Sequence, residues 1–141
     1  MKNKYPIYVV SKNRWDQCKT AELLNRLSVV YHIVVEEDQL EKYAEHHDRD
    51  KLLVLDGSYL DYYDTCDDLG QSKSKGPGAA RNFAWEHSTT TYGAKCHWVM
   101  DDNIYDFHRL NNNVKAAVRT MAWFRAMEDF CDRYSNVAIA G

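Results

Sequence analysis

At 141 residues, 45% of them apolar and 28% charged, the chain is long enough for one domain with a real core and too apolar to be disordered. Its net charge of −3 speaks against a polybasic nucleic-acid coat or membrane binder, while leaving room for a local basic groove. No apolar run approaches the roughly 20 residues of a membrane span, and the opening MKNKYPIYVV has no small-residue cleavage site, so a cytoplasmic protein with no membrane partner is expected.

Residues 6–10 (PIYVV) form a compact apolar run bounded by SKNRWD, which predicts a buried strand and then a polar loop. Residues 16–27 place Cys18, Ala21, Leu24 and Leu27 near helical spacing. Residues 29–35 are rich in β-branched side chains and predict a second strand ending at Glu36 and Glu37. Residues 39–46 suit a short amphipathic helix, and 51–56 (KLLVLD) a third strand that ends at Asp56. Residues 58–75 are polar without a sustained period. They read as a functional loop that closes over a bound ligand, with Lys73 and Lys75 able to approach phosphate.

Pro77 then suits a first helical turn, and 79–87 carries helix formers. Residues 96–100 (CHWVM) predict a fourth strand, followed by Asp101, Asp102 and Asn103. Residues 113–134 space Val114, Ala117, Val118, Met121, Phe124, Met127 and Phe130 for one buried face of a long helix. Residues 136–141 (NVAIAG) begin a fifth strand. Strands alternating with helices predict an α/β domain, a mostly parallel sheet with helices on both faces.

The four cysteines, Cys18, Cys66, Cys96 and Cys131, show no CxxC pair, so neither a structural zinc site nor a disulfide frame is expected, and most should be buried as small apolar residues. His46 and His47, in a charged stretch, are expected in solvent. Trp85, Trp98 and Trp123 are expected in the core, which leaves Trp15 as the candidate for stacking on a base.

In parallel sheets ligands bind outside the carboxyl ends of the strands. Those ends carry Ser11 to Arg14, Glu36 and Glu37, Asp56, and the acidic turn. Two adjacent carboxylates are costly to bury unless a cation, a ribose or a basic side chain meets them. Gly76-Pro77-Gly78-Ala79-Ala80-Arg81-Asn82 adds a glycine turn leading into a helix N-terminus, which favours an anion and sets Arg81 and Asn82 toward a pyrophosphate or base. It begins like G-x-G-x-x-G, but Arg81 stands in place of the third glycine and a polar loop, not a strand, precedes it.

PIYVVSKNRW, YHIVVEEDQ, LLVLD, GPGAARNFAWEHS and HWVMDDNIYDFHRLN together resemble the TET-associated glycosyltransferases of phages and bacteria, and more broadly the nucleotide-sugar half of the GT-A fold. The resemblance implies a Rossmann-like GT-A sheet and transfer of a sugar from a nucleotide donor, a uridine diphosphate sugar being favoured, onto hydroxymethylated pyrimidines in DNA. It implies that Ser11 and Arg14 line the donor pocket, that Glu36 or Glu37 meets the nucleobase or ribose, and that Arg81 faces the donor. Asp56, Gly78 and Asn82 fall on the same rim.

By the same resemblance one carboxylate of the acidic turn holds ribose and the other holds Mn²⁺ or Mg²⁺. Asn103 departs from the Asp-x-Asp pattern, so which of Asp101, Asp102 and Asn103 meets the cation stays open. Asp102 is favoured, with Asn103 beside it and Asp101 on the donor.

Inverting transfer would also need a base, for which Asp106 is the spare carboxylate nearby. Because acceptor-binding elements of the GT-A plan come mainly after the acidic strand, residues 1–141 are expected to be one donor-binding domain lacking part of the acceptor half, with an uncovered last strand prone to self-association. A nucleotidyltransferase, or a non-catalytic module for nucleotide sugars or DNA, remains the alternative.

Overall fold

The computed structural model describes residues 3–63 and 76–141. Four short strands, β1 (Ile7–Val10), β2 (His32–Val35), β3 (Leu52–Val54) and β4 (Trp98–Asp101), form one sheet in the order β3-β2-β1-β4, with every neighbouring pair parallel. Successive strand residues point to opposite faces. Ile7, Val9, Ile33, Val35 and Met100 therefore look one way and Tyr8, Val10, Val34 and Val99 the other. The first set packs with α1 (Lys19–Arg26), α2 (Leu40–Ala44) and Phe124 of α5 (Ala122–Arg133); the second packs with α3 (Gly57–Tyr62) and α4 (Gly78–Tyr92). Covering both faces is why β1 and β2 read as unbroken apolar runs. The expected α/β sheet with helices on both sides is present.

Local chemistry sets the boundaries. A 3₁₀ turn, Glu37–Gln39, precedes α2, so the helix expected over 39–46 is shorter and starts later. Helix α4 runs past the expected His87 to Tyr92. Thr89 and Thr90 turn their hydroxyls onto the Glu86 carbonyl at 2.9 and 2.8 Å, which accommodates them in the helix, and Gly93 at φ 58° closes it. Asp56 caps α3, its carboxylate accepting the Ser58 N–H at 2.9 Å. Part of the expected functional loop is thus helical; its remainder, with Lys73, Lys75 and Cys66, lies outside the described residues.

Two expectations fail in the last third. The long helix over 113–134 is instead a two-stranded antiparallel ribbon, β5 (His108–Asn111) and β6 (Val114–Ala117), followed by α5. Asn112 and Asn113 both have positive φ, 49° and 61°, which is the two-residue hairpin turn that asparagine tolerates best among residues with a side chain. Thr120 then starts α5 by accepting the Ala122 N–H. Only Phe124 and Glu128 of α5 are buried, and Phe130 is exposed. Residues 136–141 form no strand where a fifth was expected, and Ile139 is 93% exposed.

Individual side chains also depart from expectation. Trp85 is exposed, while Trp98 and Trp123 do pack on the core. Trp15 packs there too, edge-on to Tyr43 with Lys42 above its ring, and is no free stacking platform. His47 is half-buried, stacked on Tyr43 with Nε2 2.8 Å from the Trp15 carbonyl, and burial lowers its pKa. Under α4, Tyr8 Oη meets His87 Nδ1 at 2.9 Å and His32 Nε2 meets Tyr92 Oη at 2.6 Å. Burial lowers the pKa of His32, His87 and His97 in that layer. Cys18 is buried, its thiol pushed up to about 11, whereas Cys96 and Cys131 are half-buried free thiols.

Candidate functional site

The strand order places β2 and β3 on one side of β1 and β4 on the other, so the sheet changes its direction of growth between β1 and β4. Outside the carboxyl ends of two such strands a crevice necessarily opens. Val10 pairs with Asp101 across this boundary, which brings Ser11 beside the acidic turn. A cavity of about 380 Å³ lies here, lined by Ser11, Lys12, Arg14, Glu36, Asp101, Asp102 and Asn103 over a floor that includes Val10, Val34, Leu55 and Ala80.

Asp102 is held from two sides. Its Oδ2 accepts from Ser11 Oγ at 2.8 Å, and Arg14 Nη1 stands 3.3 Å from Oδ1. Ser11 Oγ also lies 2.7 Å from Tyr43 Oη, and having given its one proton to the carboxylate it accepts from the phenol. Tyr43 Oη in turn accepts the Arg14 backbone N–H at 3.2 Å. A directional chain therefore runs from the loop backbone through Tyr43 and Ser11 to Asp102. Burial raises the Tyr43 pKa and keeps it a donor.

Asp101 faces outward, with Oδ1 2.7 Å from Arg81 Nη2 and both side chains well exposed. Such a pair is worth less than about 1 kcal/mol, so a ligand opens it cheaply. Lys12 Nζ reaches Glu36 Oε1 at 2.7 Å. Each carboxylate of the acidic turn thus has its own guanidinium, the answer this chain gives to placing two acids side by side.

Backbone ties fix the turn. Thr20, fully buried at the start of α1, donates its N–H to the Asp102 carbonyl at 3.2 Å and its Oγ1 to the Asp101 carbonyl at 2.5 Å, and accepts the Ile104 N–H at 2.9 Å. Gln39, also buried, accepts the N–H of Asn13, whose φ is 59°. Thr20, Gln39 and Tyr43 escaped the sequence reading because each sits in an amphipathic stretch where its polar group has no distinguishing signature.

The oxygen donors of the turn suit a hard cation. Among the described residues no three His, Cys, Asp or Glu side chains converge as a cage. The residues present fit the type of site in which one or two carboxylates share the cation with substrate phosphates. Both oxygens of Asp102 are engaged, so the exposed Asp101 and Asn103 are the better placed pair.

Other expected residues lie apart. Glu37 is exposed beyond the cavity lining. Asp56 and Asn82 line a neighbouring cleft of about 870 Å³ between α3 and α4, with Tyr59, Tyr62, Trp85 and Glu86. Gly78 opens α4 where any side chain would run into the Tyr63 ring. Asp106 lies in a third cavity, with Oδ2 3.7 Å from Arg119 Nε and Oδ1 accepting the Phe107 N–H.

No curated protein and no solved structure matches the chain. A family model described as TET-Associated Glycosyltransferase matches residues 5–141, and with them every element and every lining residue of this cavity. The chain therefore belongs to the TET-associated glycosyltransferase family.

Proposed function

We propose that the cavity at the β1/β4 boundary binds a nucleoside diphosphate sugar, uridine diphosphate being the favoured nucleotide, in a sheet of the GT-A type, and that the sugar goes to hydroxymethylated pyrimidine in DNA. One observation carries the reading. The acidic turn, with its two guanidiniums, sits at the carboxyl ends of the parallel strands that the sheet order singles out.

In this reading Ser11, Glu36 and the apolar floor receive the nucleoside, with Asp102 held rigid by Ser11, Tyr43 and Arg14 to orient the ribose. Arg81 exchanges Asp101 for the diphosphate. A divalent cation, Mn²⁺ or Mg²⁺, held by Asp101 and Asn103 with the phosphates, would neutralise charge on the departing diphosphate. Transfer forms a bond from the acceptor hydroxyl oxygen to the anomeric carbon and breaks the bond from that carbon to the diphosphate. The hydroxyl proton goes to a base, for which Asp106 is the candidate carboxylate, held in this structure by Arg119 in a separate cavity.

Calorimetry with uridine diphosphate, its sugars and a panel of nucleoside triphosphates, with Mn²⁺ and with a chelator, tests the donor site. Binding of the diphosphate and its sugars that weakens on chelation is expected. Preference for triphosphates would favour a nucleotidyltransferase and sink this reading. Mass spectrometry of hydroxymethylated DNA after incubation with donor reads the transfer itself.

A further inference from the structure

The β5–β6 ribbon stands apart from the parallel sheet as a two-stranded sheet of its own. A lone two-stranded hairpin is marginal in water. This one nevertheless leaves apolar side chains in solvent on both faces. The register pairs Leu110 with Lys115 on one face and Arg109 with Ala116 and Asn111 with Val114 on the other, and Leu110 and Val114 are 74% and 65% exposed.

Its charge is equally one-sided. From Phe107 to Met127 the chain holds Arg109, Lys115, Arg119 and Arg125 and no carboxylate, although the whole carries −3. Arg109 and Lys115 are exposed, make no ion pair among the described residues, and lie on opposite faces of the ribbon. Asn111, Asn112 and Asn113 form the tip, with both amide donors and acceptors.

A surface that offers a cation to either side and amides at its end fits a slot walled by anions. The major groove of duplex DNA is such a slot, about 12 Å wide and 8.5 Å deep, and it admits a two-stranded ribbon. Four residues per strand span about 13 Å, enough to reach its floor. A substituent at C5 of a pyrimidine also projects into that groove. The ribbon starts at His108, a few residues after the acidic turn in the chain.

We propose that the β5–β6 ribbon enters the major groove of duplex DNA, with Arg109 and Lys115 on the phosphates of opposite walls and the asparagine tip toward the base edges. The proposal deepens the reading of a DNA acceptor given above and rests on it.

The test is fluorescence anisotropy with an unmodified duplex and its single strand, comparing the parent with Arg109→Glu/Lys115→Glu and with the charge-matched Arg49→Glu/Arg133→Glu, each checked for fold by circular dichroism. Between about 50 and 200 mM salt the parent should lose roughly tenfold more duplex affinity than the ribbon variant, because two phosphate contacts release two fewer counterions. The charge-matched variant should behave as the parent. No duplex binding by the parent, equal affinity for single strand, an unchanged ribbon variant, or equal loss in the charge-matched variant would each overturn the proposal. A monomer–dimer shift abolished by the ribbon substitutions, without DNA binding, would assign the face to a second copy and overturn it as well. Uridine diphosphate affinity is read on the same samples. Its absence, with ribbon-dependent duplex binding intact, counts for the ribbon and against the donor reading alone.

Discussion

Ser11 carries two hydrogen bonds through one hydroxyl, and its neighbours depend on both. Ser11→Ala leaves the buried Tyr43 phenol without its acceptor and Asp102 with Arg14 alone, and should cost about 1–3 kcal/mol in urea unfolding. Tyr43→Phe keeps the Ser11–Asp102 bond but strands the Arg14 N–H, with a similar cost. Its effect on nucleotide affinity should be the smaller of the two, which calorimetry on both variants decides. The two acids of the turn should separate in the opposite sense. Asp102→Ala removes a largely buried acceptor and should lower stability along with binding. Asp101→Ala breaks an exposed pair, should change stability by less than about 1 kcal/mol, and should abolish the cation-dependent increment of donor affinity. Equal increments in parent and Asp101→Ala would exclude Asp101 as a ligand.

At the level of elements, the hairpin turn makes a local prediction. Asn113→Ile puts a β-branched side chain at φ 61° and should destabilise the ribbon by about 1–2 kcal/mol. Because the ribbon forms its own sheet, amide exchange in 108–117 should quicken while β1 and β4 keep their protection. The layer beneath α4 answers to pH. His32, His87 and His97 there, and His47 on the opposite face of the sheet, have pKa values depressed below 6.5 by burial, so below pH 6.5 the unfolded chain takes up protons that the folded one refuses. Stability is therefore full above that pH and falls as the solution is acidified through it. The urea midpoint should drop between pH 7.5 and 5.5, before the carboxylates titrate, and His32→Gln should flatten that slope. These two elements also mark where sequence reading stops. The strands β1 to β4 and the helices α1, α2 and α4 were legible because burial leaves long apolar runs and periodic helical faces, and the acidic turn because two carboxylates at a strand end demand partners, whereas α3 was read as part of a loop. The ribbon was not, since Val114, Val118, Met121 and Phe124 fall at helical spacing by chance of a β-ribbon abutting a helix, and the signal that overrules them is two asparagines in a polar triplet. Tyr43 and Thr20 were hidden for another reason: their roles exist only through contacts with distant residues.

For the whole molecule, a ligand that binds only the folded chain adds stability by mass action, about 2.7 kcal/mol at a concentration a hundred times its dissociation constant. Uridine diphosphate with Mn²⁺ should accordingly raise the melting temperature of the entire domain, and a scan showing no shift at saturating nucleotide would remove the site from this cavity. The reason lies in the pairing that builds it. Ser11 and Asp102 meet across 91 residues of chain, and the β1–β4 pairing closes a loop of similar length. Closing so long a loop is slow and late, since its entropy is spent before any contact rewards it. During synthesis β1, β2 and β3 with their helices leave the ribosome before β4, and the pocket does not exist until β4 arrives to pair with β1. Nucleotide cannot guide the early steps of folding; it can only trap the last. In refolding experiments the return of nucleotide binding should coincide with the slowest phase, and adding nucleotide should slow unfolding while leaving the refolding rate unchanged.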